Sequence, residues 1–282
     1  MKRFQSFKPG YDPNFMLRPF KAFDLGWVEN AKCGTTYYKL CIADHYGHIN
    51  LEKIIDLSLK ENVETLIRNQ IDSFQGAYHH CGIDWKKEFD PYSEKKLDKI
   101  VCVGRDPLSR FLSCFLMHAY RVVRVPITYE NKEQKNKIIN SLSFETFLKY
   151  YKDGFPDEYP QWFPESVYGH LYFISDNNLK AIKERIVYLD ISDIDNFLLS
   201  LGVEKITLDK AKTLMKNSNH HRTSIKKEYK DSFYCGDFFI KDLLVGDDLI
   251  TKSKDYFYNK ETKKVVESIF KEDIEFISGF KR

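Results

Sequence analysis

Two short segments of this 282-residue chain bring cations, hydroxyls and glycine together at the spacing of an anion-binding turn. They are Ala31-Lys32-Cys33-Gly34-Thr35-Thr36 and Val101-Cys102-Val103-Gly104-Arg105-Asp106-Pro107-Leu108-Ser109-Arg110-Phe111-Leu112-Ser113. Each runs from an apolar stretch through a tight turn into a stretch of helical periodicity. The first N–H groups of a helix have no carbonyl partner within it, and the helix dipole adds positive potential at the same end. A strand that turns directly into a helix therefore grips an anion. Two such turns in one chain imply a ligand with phosphate-like charge at both ends.

The elements that must position these turns follow from hydrophobic periodicity. Residues 25–31 are expected as a first strand, with a helix from Thr36 to about Asp44. A longer helix is expected from Leu51 to Phe74, through Leu51, Ile54, Ile55, Val63, Leu66, Ile67 and Ile71. Ile100–Val103 is a short buried strand. Asp106 is placed to cap the next helix, with Pro107 at its first position, where a missing N–H costs nothing. That helix carries Leu108, Phe111, Leu112, Phe115, Leu116 and Ala119 on one face. Residues 130–140 are a charged, solvated excursion; Ser143–Tyr151 is expected to be helical, and the aromatic, proline-bearing run Phe155–Phe173 irregular. A third buried strand, Arg185–Asp190, precedes a helix carrying Ile194, Phe197, Leu198 and Leu201 and closed by Gly202, and a last helix covers about Glu261–Ile277. Strands alternating with helices predict one α/β domain over residues 1–282, a parallel sheet flanked by helices, with ligands at the carboxyl ends of the strands.

Composition narrows the class. With 44 Lys and Arg against 41 Asp and Glu the formal charge is only +3, so no global polyanion-binding signature exists and no nucleic-acid partner is expected. No run approaches the roughly 18 apolar residues of a membrane span. The opening Met1–Lys8 carries charge without an apolar stretch behind it, unlike a secretory leader. The six cysteines, Cys33, Cys41, Cys81, Cys102, Cys114 and Cys235, lack CxxC spacing and read as small buried thiols. The expectation is a reduced, cytoplasmic protein.

The two turns resemble the signatures of sulfotransferases that use 3′-phosphoadenosine 5′-phosphosulfate (PAPS), above all the branch acting on carbohydrates. The family's P-K-x-G-G/S/T-S/T loop, which binds the 5′-phosphosulfate, corresponds to Ala31–Thr36, with Ala31 in place of the proline. Its V-x-R-D/E-P-x-x-R-x-x-S signature, which binds the 3′-phosphate through its first Arg and last Ser, corresponds to Val103–Ser113. Leu142–Leu148 is similar to the family's S-F-x-x-F-L helix. Tyr159–Ser166 is similar to its H-W-x-P-Q-S segment, with Tyr159 where His is usual. Phe270–Phe280 is similar to its Y-x-x-D-x-x-x-F-G-Y close, with one extra residue.

The resemblance implies the P-loop-like sulfotransferase fold and nucleotide contacts from Lys32, Cys33, Gly34, Thr35, Thr36, Arg105 and Ser113, with Arg110 as a brace. Sulfuryl transfer is an in-line displacement in which negative charge builds on the leaving oxygen. A cation there favours the transition state over the ground state, and Lys32 is the candidate. Arg105 offers a planar fork of donors suited to phosphate oxygens. Gly76-Ala77-Tyr78-His79-His80-Cys81 resembles the family segment that supplies a catalytic histidine in uronyl 2-O-sulfotransferases. A neutral imidazole near pH 7 can take the acceptor's proton. His80 is the first candidate base and His79 the second, with Glu29 and Asp24 as carboxylate alternatives. Asn217–Ser224 resembles a segment that would return Arg222 to the nucleotide, and Tyr188 or Trp162 could stack on adenine or sugar.

No metal is expected, because adjacent ligands such as His79-His80-Cys81 lack helical metal-site spacing. A kinase is disfavoured because G-x-x-x-x-G-K-S/T occurs nowhere in the chain. The expected activity is PAPS-dependent sulfation of a hydroxyl, most readily on a saccharide or glycolipid. The alternatives are a small phenol, lipid or peptide tyrosine as acceptor, or a non-catalytic nucleotide- or glycan-binding module of the same fold.

Overall fold

A computed structural model describes residues 17–20, 25–28, 32–45, 47, 49–58, 99–124, 132–160, 162–171, 184, 186–217, 234–245, 248–249 and 254–280. Its strands are β1 (Leu17–Phe20), β2 (Leu25–Val28), β3 (Lys99–Gly104), β4 (Ile186–Asp190), β5 (Leu244–Val245) and β6 (Asp248–Leu249). Its helices are α1 (Thr35–His45), α2 (Leu51–Ser58), α3 (Pro107–Arg124), α4 (Lys132–Ser141), α5 (Phe144–Asp153), α6 (Trp162–His170), α7 (Ile194–Ser200), α8 (Lys205–Asn217), α9 (Lys260–Ile269) and α10 (Lys271–Ser278). The class is α/β, with helix predominating. The chain divides into two compact units, Met1–Gly104 with Ile174–Leu214, and Arg105–Phe173 with Met215–Arg282.

The first unit holds a sheet of order β1-β2-β3-β4. β2 runs parallel to β3 with Leu25 opposite Lys99 and Val28 opposite Cys102. β3 runs parallel to β4 with Ile100 opposite Ile186 and Gly104 opposite Asp190. Val101, Cys102 and Val103 are buried, as the apolar run of a central parallel strand requires. β1 is antiparallel to β2 and was not legible in the sequence. Its Pro19 has no N–H to donate, and the edge position it occupies is where a sheet tolerates that.

Gly104 ends β3 under the ring of Tyr188. A Cβ at position 104 would lie 1.9 Å from the Tyr188 hydroxyl oxygen and 2.4 Å from its ring. Beyond β4, Asp190 accepts from Ser192 N–H at 3.0 Å and starts the 3-10 turn Ile191–Asp193 that leads into α7. Gly202, at φ +91°, closes α7 as expected, with Val203 N–H donating to Leu198 C=O at 3.1 Å.

The second unit is built on α3. Its predicted face is buried: Phe111 and Phe115 are 0% exposed. They meet Phe144 and Phe147 of α5 edge-to-face at centroid distances of 5.4 to 5.7 Å. Ser143 caps α5 in a reciprocal box with Thr146. The charged stretch 130–140 contains α4, a polar helix that buries Ile138.

Two expectations fail here. Residues 155–173 are not irregular throughout, because α6 forms within them. Pro160 lies ahead of α6, where its carbonyl accepts from Phe163 N–H at 2.8 Å. Pro164 falls in the first turn, where no N–H is needed, and Phe163 and Val167 are buried on one face. The last helix is also two helices, broken at Phe270, whose ring is 1% exposed in the core.

Cys33, Cys41, Cys102, Cys114 and Cys235 are buried thiols, and Cys81 lies outside the described residues. Among the described residues no helix is long and apolar enough to cross a membrane.

Replacing Gly104 by Ala should cost about 1–3 kcal/mol of stability, because the ring above it must move. Urea denaturation measures this, and a Tyr188→Ala background should remove most of the penalty.

Candidate functional site

The first turn lies in the first unit. Tyr38 N–H donates to Gly34 C=O at 3.1 Å, so Gly34 stands at the N-cap of α1 and offers no side chain to close the first turn. That turn also contains no acidic residue. Within the helix, the N–H groups of Thr35, Thr36 and Tyr37 have no carbonyl one turn back, as at any helix start.

The backbone here is unusual. Gly34 has φ +76°, natural for glycine, but Lys32 has φ +67°, the only positive φ at a non-glycine position among the described residues. Such a conformation costs on the order of 1 kcal/mol and persists only where the surroundings hold it. Cys33, 0% exposed, anchors the turn from below. Gly34 packs toward Ile191 and Ile194, which would lie 3.5 and 3.8 Å from a Cβ at that position. Lys32 and Thr36 are half-buried.

A side-chain chain ties α1 to the helices behind it. Tyr37 donates its hydroxyl to Asp195 Oδ1 at 2.7 Å, and the other Asp195 oxygen pairs with Lys212. Burial works against the Asp195 carboxylate, but the bonds from Lys212 and Tyr37 outweigh it and hold its pKa below the usual range. Burial, then the Asp195 bond, pushes the Tyr37 hydroxyl well above its ordinary value. Burial also pushes the Cys41 thiol up to about 12, so it stays protonated and unreactive at neutral pH.

The second turn opens the second unit. Asp106 caps α3 as expected: its Oδ2 accepts from Ser109 N–H at 3.1 Å and from Ser109 Oγ–H at 2.7 Å, while Arg110 N–H donates to Asp106 C=O at 2.9 Å. Lys254, far off in sequence, reaches the same oxygen at 3.0 Å. Burial raises the Asp106 carboxyl, but the Ser109 and Lys254 bonds prevail and lower it overall. Arg105 is half-buried immediately before this cap, and Ser113 is half-buried two turns into α3.

Arg110 is turned inward. It is 3% exposed and faces Asp273 of α10 at 3.8 Å, a buried ion pair that joins the start of α3 to the last helix. Its role is structural.

Lys32, Cys33, Gly34, Thr35 and Thr36 thus belong to the first unit, and Arg105 and Ser113 to the second. His79, His80, Arg222, Glu29 and Asp24 lie outside the described residues. So does the side chain of Trp162, although its backbone opens α6. Tyr188 covers Gly104. Among the described residues no group of three or more His, Cys, Asp or Glu could hold a metal ion. Sequence reading missed Lys254, Asp195 and Lys212. Each meets its turn only through contacts between distant parts of the chain, and no local spacing announces them.

Compared with family models, with curated proteins and with solved structures, the chain finds no match.

The two arginines of the second turn should separate by stability. Arg110→Ala leaves a carboxylate in the core without this partner and should cost about 3 kcal/mol in urea denaturation. Arg105→Ala should change stability by less than about 1 kcal/mol.

Proposed function

We propose that the chain is a PAPS-dependent sulfotransferase of the P-loop-like sulfotransferase fold. It transfers a sulfuryl group to a hydroxyl of a saccharide or glycolipid in the cytoplasm. One observation supports this reading: the two motifs that resemble the family's phosphate-binding signatures follow neighbouring parallel strands. β2 precedes the Lys32 turn and β3 precedes Arg105, and parallel pairing sends both strands out at the same end of the sheet. In open α/β sheets that end is where ligands bind.

In this reading the first turn of α1 and Lys32 hold the 5′-phosphosulfate, while Arg105 and Ser113 hold the 3′-phosphate. The acceptor oxygen attacks sulfur as the bond from sulfur to the 5′-phosphate oxygen breaks. The acceptor's proton goes to a base, His80 or His79, and adenosine 3′,5′-bisphosphate leaves with the electron pair of the broken bond. Lys32 opposes the charge that grows on the leaving oxygen, and the first N–H groups of α1 share it. The strained backbone of Lys32 supports the assignment, since such strain concentrates where a side chain must be aimed.

The test is transfer of radiolabelled sulfate from PAPS to a panel of oligosaccharides and glycolipids, with calorimetry of adenosine 3′,5′-bisphosphate. Arg105→Ala should raise the dissociation constant at least tenfold, about 1.4 kcal/mol. Lys32→Ala should lower kcat more than it weakens nucleotide binding. Lack of nucleotide binding by the unaltered protein overturns the proposal, and tight binding without transfer to any acceptor reduces it to a binding module.

A further inference from the structure

We infer that Lys254 makes the turn at Arg105 selective for a ribose 3′-phosphate by neutralising the carboxylate that caps α3. The inference rests on the sulfotransferase reading and adds to it a residue that no motif marks.

The turn has a conflict built into it. Asp106 closes α3 with a carboxylate that the Ser109 and Lys254 bonds favour in its ionised form, and it is the residue next to Arg105, so its negative charge lies next in the chain to the residue proposed to bind a phosphate dianion. Lys254, on Asp106 Oδ2 at 3.0 Å, pairs that carboxylate with a positive charge. An ammonium has three donors, and this contact uses one.

Lys254 is mounted rather than merely nearby. It begins the 3-10 turn Lys254–Tyr256, where Phe257 N–H donates to Lys254 C=O at 3.0 Å. Phe257 is 0% exposed and packs edge-on against Phe115 and Phe144. One residue on, the Tyr258 hydroxyl donates to Leu108 C=O at 2.8 Å, on the first turn of α3. The segment therefore meets the start of α3 at two points, Asp106 and Leu108, and this anchored backbone shortens the search of an otherwise exposed pair, in which Lys254 is 45% and Asp106 43% accessible.

The experiment measures calorimetric affinities for adenosine 3′,5′-bisphosphate and adenosine 5′-monophosphate in the full chain and in Lys254→Met, Lys254→Arg, Asp106→Asn and Lys254→Met/Asp106→Asn. Lys254→Met should reduce the preference for the bisphosphate at least fivefold and leave monophosphate affinity within twofold. Lys254→Arg should keep the preference. Adding Asp106→Asn to Lys254→Met should restore it to within about twofold, because asparagine still caps the helix but brings no charge. An undiminished preference in Lys254→Met overturns the inference while leaving the nucleotide reading intact. A loss that Asp106→Asn does not repair also overturns it, since Lys254 would then act on the phosphate directly. If the unaltered protein binds neither nucleotide, or both equally, the 3′-phosphate reading of Arg105 falls and this inference with it.

Discussion

Asp106 accepts a backbone N–H, a hydroxyl and an ammonium on one carboxylate oxygen, and through them closes the first turn of α3 two residues after β3 ends. Much of the second unit depends on that closure. α3 carries Phe111 and Phe115 into the aromatic core. Arg110 goes to Asp273, and Arg105 is left just ahead of the cap.

The same corner is constrained from the strand side. Gly104 can end β3 only because it has no Cβ beneath Tyr188. A bare residue, a cation, a cap and a proline follow in immediate succession, each with a separate physical reason for its position. The Lys32 turn works differently. At the N-cap of α1 Gly34 has no side chain to offer, and the turn is held by the buried Cys33, by packing of Gly34 toward Ile191 and Ile194, and by the bond from Tyr37 to Asp195. One turn is closed by its own carboxylate and paired with a distant lysine; the other has a glycine at its cap and is held from behind.

Much of this was legible locally. The Asp106-Pro107 cap, the α3 face, the β3 and β4 runs and the glycine closing α7 all follow from propensity and period over a few residues, and the chain obeys them. Other features escaped because competing terms decided them. α6 forms where prolines and aromatics suggested irregular chain, since burial of Phe163 and Val167 outweighs composition and the prolines fall where they do no harm. The break at Phe270 interrupts a sequence that would continue as helix, and it keeps Phe270 and Asp273 facing inward together.

By itself the sequence determined the two strand-to-helix corners, because caps, glycine turns and apolar strands are set by neighbours in the chain. Tertiary structure alone decided that Arg110 is a core residue and Arg105 is not, that Lys254 balances Asp106 and that Asp195 steadies α1. Those outcomes depend on which distant segment arrives with an opposite charge or an accepting oxygen. A buried charge takes whatever partner packing supplies, and spacing along the chain carries no record of it.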